Sequence, residues 1–283
     1  MAGPELTFLD DAITRALHED LAGGDVTAAA CVPVDAQARG RIVAKSALTL
    51  AGMTVAGRTF SRVDPATRWE ALAADGDTVQ PGTVVARIEG NARALLAAER
   101  TALNFLQRLS GTATLTRRFV DAAGGKCRIV DTRKTTPGLR VLQRWAVRCG
   151  GGHNHRNDLG SGVLIKENHI RACGSVTAAV KAAAAHAPHP LRIECEVTTL
   201  AELDEALAAG ADAVLLDNMN DAQVREAVAR VAGRAIIEAS GSVDLARVAT
   251  LAEAGVDVIS VGALTHSAPA ADLSLLFDTD ADA

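Results

Sequence analysis

A chain of 283 residues is long enough for one α/β barrel plus a smaller domain, and 48% hydrophobic content with a mean hydropathy of +0.14 supplies a large core. Aromatic residues at 2%, no tyrosine, a net charge of −5 and a pI near 5.8 argue against base stacking and general nucleic-acid backbone binding, so any anion site has to be local. The five cysteines (Cys31, Cys127, Cys149, Cys173, Cys195) lack CxxC spacing, which disfavours a disulfide framework or zinc knuckle and points to a reducing compartment.

The N-terminal stretch carries acids early and has no apolar run, so no signal peptide is expected and the chain reads as cytoplasmic. The apolar stretch Ser46–Gly57 is too short to span a bilayer. Asp75–Gly90 reads as a compact β-hairpin segment similar to hammerhead or lipoyl-type modules. It lacks a lysine at the tip, so its expected role is structural. A long helix is predicted over roughly Ala92 to Ala123, with Leu96, Leu103, Leu106, Leu109 and Phe119 as its core stripe. Arg100, Asn104, Gln107 and Gly111 fall at i, i+4, i+7 and i+11, a second stripe that is either solvated or lets Arg100 reach a partner's site.

From there the chain becomes rhythmic. Short β-type runs recur at Arg128–Val130, Val163–Ile165, Leu191–Val197, Ala213–Leu216, Ala235–Glu238 and Val256–Val261. Helical patterns between the later runs close at Gly210, near Gly233 and at Gly255, as C-capping glycines do. Glu196, Asp217, Glu238 and Ile259 are spaced at a constant interval, which means βα units on a parallel sheet. No GxGxxG follows the first strand, so a barrel is preferred to a dinucleotide-binding fold. Barrel chemistry sits at the C-terminal ends of strands, and those ends deliver Asp131, Arg133 and Lys134, then Lys166, Glu196, Asp217, Glu238, Ser240, Gly241 and Gly262.

The motifs favour anion binding. In DTRKTTPGLR, Pro137-Gly138 encodes a tight turn, Arg133 offers bidentate carboxylate geometry and Lys134 a compact charge for phosphate. His155 and Arg156 follow a triple glycine, on a loop able to close over a ligand. A metal pair at His153 and His155 is disfavoured, because Arg156 adjoins it and no cysteine or carboxylate sits at matching spacing. Lys166 ends an apolar strand and is read as pairing with a substrate anion. Glu196 and Asp217 suit Mg²⁺ with a diphosphate, or a developing oxocarbenium, or act as structural partners of Arg133 and Lys166. No GxSxG, P-loop or Cys/His nucleophile pattern occurs, so the site is built to position anions and stabilise charge.

Taken together, ERTALNFLQRLSGTAT, DTRKTTPGLR, GGHNHR, LIKENHI, ECEV, LLDNM and EASG…VGALTHS resemble, in order and spacing, the quinolinate phosphoribosyltransferase family, from about Asp10 to Leu276. The resemblance implies an N-terminal α/β sandwich-like domain over residues 1–111, with the tail 271–283 packed on it, and a seven-stranded, incomplete α/β barrel over 112–270. It implies transfer of phosphoribose from phosphoribosyl pyrophosphate to quinolinate with decarboxylation, Mg²⁺ as cofactor, and no nucleic-acid or membrane partner. A related transferase acting on nicotinate or another small acid, or a non-catalytic phosphate-binding barrel, is the alternative. Residue by residue, Thr132, Arg133, Lys134, His155, Arg156 and Lys166 would bind carboxylate and phosphate oxygens. Lys134, Glu196 and Asp217 would be catalytic, and the two acids would also hold Mg²⁺ and the ribose. Ser240, Gly241, Ser242, Val261, Gly262 and Ala263 would grip the 5′-phosphate. Arg100 would enter from the other subunit of a homodimer, with a hexamer of dimers as the further assembly open to it. The chain departs from the family pattern at Gln143-Arg144-Trp145, where an acid, a lysine and an aromatic are usual, and at Asp158, Ser161 and Cys195.

Overall fold

The computed structural model describes residues 6–278. In chain order the elements begin with α1 (Leu6–Leu21), α2 (Val26–Cys31), β1 (Gln37–Ala44), β2 (Leu48–Thr49), α3 (Met53–Val63), β3 (Arg68–Ala71), β4 (Thr78–Val79), β5 (Val84–Asn91) and α4 (Ala92–Ala123). They continue with β6 (Arg128–Val130), α5 (Arg140–Cys149), β7 (Val163–Ile165), α6 (Glu167–Cys173), α7 (Val176–His186), β8 (Ile193–Val197) and α8 (Leu200–Ala209). The last are β9 (Ala213–Asp217), α9 (Asp221–Val231), β10 (Ile236–Ser240), α10 (Leu245–Ala254), β11 (Val258–Ser260), α11 (Ala263–His266) and β12 (Leu273–Phe277). Two compact units form. One takes the chain up to Arg117, Thr135–Gly151 and the residues from Leu264 on; the other takes Arg118–Lys134 and Gly152–Ala263.

The first unit holds an antiparallel sheet of order β12-β1-β5-β3, in which Gly40 pairs with Phe277 and Ala44 with Leu273. Its core gathers Ile42, Leu48, Leu50, Phe60, Val85, Leu95 and Leu106 under the sheet. The Asp75–Gly90 segment is not a hairpin. Its strand β4 pairs with β2, whereas β5 pairs with β1 and β3, so the two arms serve different sheets and Thr83 N–H to Gln80 O closes the turn between them. Residues 279–283 of the expected tail lie outside the described residues.

Helix α4 has the expected bounds. Leu103, Leu106, Leu109 and Phe119 are buried, but Leu95 rather than Leu96 fills the core, one position round the helix. The second stripe divides by environment. Arg100 and Asn104 are exposed, whereas Gln107 is spent internally: its Nε2 donates to Leu273 O at 2.8 Å and its backbone carbonyl accepts from Ala271 N–H. Gly111 is there for close approach, since a Cβ at that position would lie 1.9 Å from the Pro269 carbonyl oxygen.

The second unit is a six-stranded parallel sheet of order β6-β11-β10-β9-β8-β7, with helices between successive strands. A parallel bridge from Val130 to His153 lays one further residue beside β6, in the place a seventh strand would take. Sequence rhythm and strand positions coincide because each βα unit is closed by strong local signals. Thr199 and Glu202 form a capping box at the start of α8, which ends at Gly210 with φ 94°, and α10 ends at Gly255 with φ 94°. Helix α9 departs from the expected glycine cap: Ala232 itself takes the left-handed conformation, φ 48°, one residue before Gly233. At the N-terminal ends of the strands, Asp212 accepts the Ile193 amide and Asp257 the Ile237 amide, at 2.7 and 2.8 Å. No helix among the described residues is long and apolar enough to cross a membrane.

Gly111→Ala forces a methyl onto backbone and is expected to cost about 3 kcal/mol, the upper range for overpacking, in chemical denaturation. Gly174→Ala, at a helix end with open space around it, should cost only its left-handed strain of about 1 kcal/mol.

Candidate active site

The C-terminal ends of the parallel strands surround a cavity of about 580 Å³, a size ordinary for small-molecule sites. Thr132, Arg133, Lys134, His155, Arg156, Lys166, Glu196, Asp217, Ser240, Gly241 and Ser242 all line it. The late phosphate residues do not all follow. Val261 is 2% exposed and its amide donates to Val130 O at 3.0 Å, so that N–H is committed to the sheet. Gly262 and Ala263 are absent from the lining, and Ser260 is present instead, its hydroxyl donating to Ser240 Oγ at 3.0 Å. Arg100 belongs to the first unit and is exposed on α4.

The two arginines are brought together by a buried acid. Asp131, fully buried at the end of β6, accepts the His155 amide at 2.8 Å and the Asn154 side-chain amide at 2.6 Å. This fastens the glycine loop to the strand whose next residues are Thr132 and Arg133. Arg156 then donates to Gly162 O at 3.0 Å. Burial lowers the Arg156 pKa, and the positive charge of Arg133 lowers it further. Two guanidiniums held close enough to repel mark a place that favours an anion. The Thr136–Leu139 turn closes as expected, Leu139 N–H to Thr136 O, with Gly138 at φ 78°.

Lys166 meets Glu196 through its ammonium group, and Asp217 accepts from the Asn218 amide at 3.0 Å. Gly241, φ 87°, runs so close to Asn218 that a Cβ would come within 2.3 Å of Oδ1. Glycine is required there, and Ser242 beyond it is also left-handed, φ 45°. Asp158 and Ser161 act together: Ser161 Oγ accepts the Asn157 and Asp158 amides and Asp158 accepts the Gly160 amide, so the exposed loop after Arg156 is bonded to itself.

A cluster joins two residues named from the sequence, His155 and Glu238, to one that was not, Glu194. His155 Nε2 stands 3.3 Å from Glu194 and 3.2 Å from Glu238, both almost fully buried. Burial opposes charge on the imidazole and the two carboxylates favour it, raising the pKa, while the Arg156 amide aimed at Nδ1 favours the ring with its one hydrogen on Nε2. Burial also raises the Glu194 carboxyl. Among the described residues this is the one group with metal-ligand spacing. Its surroundings speak against a metal: His155 Nδ1 faces the Arg156 amide at 2.7 Å, whereas a ligating imidazole keeps an N–H on its other nitrogen to donate outward. The triad instead orients His155 through its Nε2 hydrogen. Cys149 and Cys195 are held as thiols, pushed up to about 12 and about 11 chiefly by burial, so neither is a nucleophile.

A parallel α/β sheet whose strand ends gather cations, carboxylates and a glycine-serine turn around one cavity defines a barrel-type enzyme for phosphorylated, acidic small molecules. Residues 25–110 match the quinolinate phosphoribosyl transferase N-terminal domain and residues 112–276 its C-terminal domain, and the chain belongs to that family. It is 42% identical over 276 residues to a probable carboxylating nicotinate-nucleotide pyrophosphorylase of Synechocystis, covering 96% of this chain and 93% of that one. The corresponding Bacillus subtilis protein is 42% identical over 258 residues, covering 91% and 89%. A solved structure of NadC from Streptococcus pyogenes superposes with a TM-score of 0.93 at 40% identity, covering 99% of this chain and all of that one.

Asp131→Ala would leave the His155 and Asn154 amides without their charged acceptor, and should cost roughly 3 kcal/mol in denaturation. Limited proteolysis within 150–162 should speed up in the same variant.

Proposed function

We infer that the cavity takes quinolinate beside phosphoribosyl pyrophosphate and yields nicotinate mononucleotide, diphosphate and CO₂. The chain is a pentosyltransferase of pyridine-nucleotide biosynthesis, as its family membership establishes. The observation that carries the site assignment is the convergence of Arg133 and Arg156 with Glu196 and Asp217 on one cavity. A dicarboxylate needs paired cations, and a sugar losing diphosphate needs nearby negative charge.

Arg133, Arg156 and Lys134 bind the two carboxylates and adjacent phosphate oxygens, with Thr132, His155 and Lys166 completing the wall. The pyridine nitrogen attacks C1 of the ribose with its own lone pair, so no general base is required. The C1–O bond breaks and its electrons leave with diphosphate. Glu196 and Asp217 stabilise the positive charge that develops on the sugar, and Lys134 that on the departing diphosphate. The pyridinium then accepts the electron pair released as the adjacent carboxylate departs as CO₂, and a proton replaces it on the ring. Ser240, Gly241 and Ser242 receive the 5′-phosphate at a left-handed turn rich in amides. Gly262 and Ala263 would flank it. Glu196 and Asp217 offer the hard oxygen donors that Mg²⁺ prefers, and each keeps lone pairs beyond its bond to Lys166 or Asn218. When bound, Mg²⁺ offsets the charge of the leaving diphosphate.

The exposed position of Arg100 on α4 supports a homodimer in which this side chain completes a neighbouring subunit's cavity. The five free cysteines support a reducing, cytoplasmic location.

Purified protein with phosphoribosyl pyrophosphate, Mg²⁺ and quinolinate should release CO₂ and nicotinate mononucleotide, and nicotinate in its place should not be used. Arg133→Ala should raise the quinolinate KM roughly 10- to 100-fold, with a much smaller change for phosphoribosyl pyrophosphate. Equal losses for both substrates would refute the roles given. At quinolinate far below the raised KM, where Arg100→Ala and Arg133→Ala proteins each turn over only weakly, the two should recover about a quarter of wild-type activity when unfolded and refolded together, since half the dimers then hold one intact site. No recovery would place Arg100 in its own subunit's chemistry or outside it.

A further inference from the structure

Gln143 is a glutamine with no solvent exposure at all, on α5, outside the cavity lining. Its Oε1 accepts the Thr136 amide at 2.8 Å and its Nε2 donates to the Thr265 carbonyl at 2.8 Å. Both partners are backbone groups, one able only to donate and the other only to accept, so the orientation of the side-chain amide is fixed. Thr136 lies two residues beyond Lys134, in the loop that joins β6 to α5, and Thr265 lies two residues beyond Ala263, in α11. The same loop is tied a second time to α5 by Arg140, whose Nε donates to Thr135 Oγ1 at 2.9 Å.

We propose that Gln143 is a positioning residue: its amide joins the loop that follows Arg133 and Lys134 to the segment that follows the last barrel strand, and so sets where the two cations stand. The site demands one acceptor and one donor from a single side chain. An ionised glutamate satisfies Thr136 but sets a negative oxygen against the Thr265 carbonyl. A protonated glutamate has the same shape and the same donor–acceptor pair as glutamine. Leucine matches the volume and supplies neither. Position 143 therefore distinguishes the two protonation states of a carboxyl, and burial favours the neutral one.

The effect on turnover rests on the phosphoribosyl-transfer reading, so the test pairs kinetics with a measurement that does not. Gln143→Glu and Gln143→Leu are compared with wild type by KM and kcat for each substrate and by hydrogen exchange at the Thr136 amide. Gln143→Leu, with neither donor nor acceptor, should lose Thr136 protection at least tenfold and raise the quinolinate KM at least tenfold, with kcat less affected. Gln143→Glu installs the acid usual at this place in the family and, kept neutral by burial, should stay within about threefold of wild type on both readouts. Unchanged KM values in folded Gln143→Leu, or a loss in Gln143→Glu equal to that of the leucine variant, would overturn the proposal. An inactive wild type whose Thr136 amide still depends on Gln143 would instead overturn the functional reading and leave the clamp standing.

Discussion

Like charges do not gather at the end of a sheet unless something holds them there. Arg156 is under strain from burial and from the positive field of Arg133, and a buried acid two residues before Arg133 keeps its loop in place. Asp131 spends its carboxylate on the His155 amide and the Asn154 side chain, and so locks the glycine loop to β6. The Glu194–His155–Glu238 triad beneath adds negative charge close by without occupying the mouth of the cavity. The arrangement is preorganised: the cost of bringing cations together is met in folding, and an incoming dianion relieves it.

The same sheet works differently at its two ends. At the strand starts, Asp212 and Asp257 receive neighbouring backbone amides and are wholly structural. At the strand ends, acids at corresponding places in the repeat, Glu196 and Asp217, face a cavity and keep acceptor capacity in reserve. One carboxylate chemistry thus serves stability at the base and leaves open acceptors at the rim, and position along the strand separates the two.

Much of the second unit was legible because its signals are local. Strand composition, capping boxes and terminal glycines sit within each βα unit, so β6 and β7 have the bounds read from sequence and β8 to β11 lie within two residues or so of them. The cationic motif residues were legible as well, since solvent-averse runs rarely end in Arg-Lys or Lys-Glu by accident. The buried supports were not. Nothing in the sequence tells Glu194 from Glu196: two residues apart on one strand, they share a face, and only their height along it decides that one meets His155 and the other Lys166. Gln143 and Ser260 were hidden for a related reason: their partners, Thr265 and Ser240, are fixed by tertiary packing. The first unit was the harder one. The β4–β5 segment looked like a hairpin because a Pro-Gly turn separates two apolar runs, but the partners of those runs lie elsewhere in the chain.

The pairing of β12 with β1 brings Leu276 opposite Arg41, across nearly the whole length of the polypeptide. A ribosome delivers β1 long before β12, so the antiparallel sheet has an open edge while all the intervening chain is being made. The parallel sheet, whose strands all fall between Arg128 and Ser260, has every one of its pieces in hand before that edge can be covered. Synthesis therefore imposes an order on maturation: the parallel sheet can close first, and its companion is sealed only when β12 arrives.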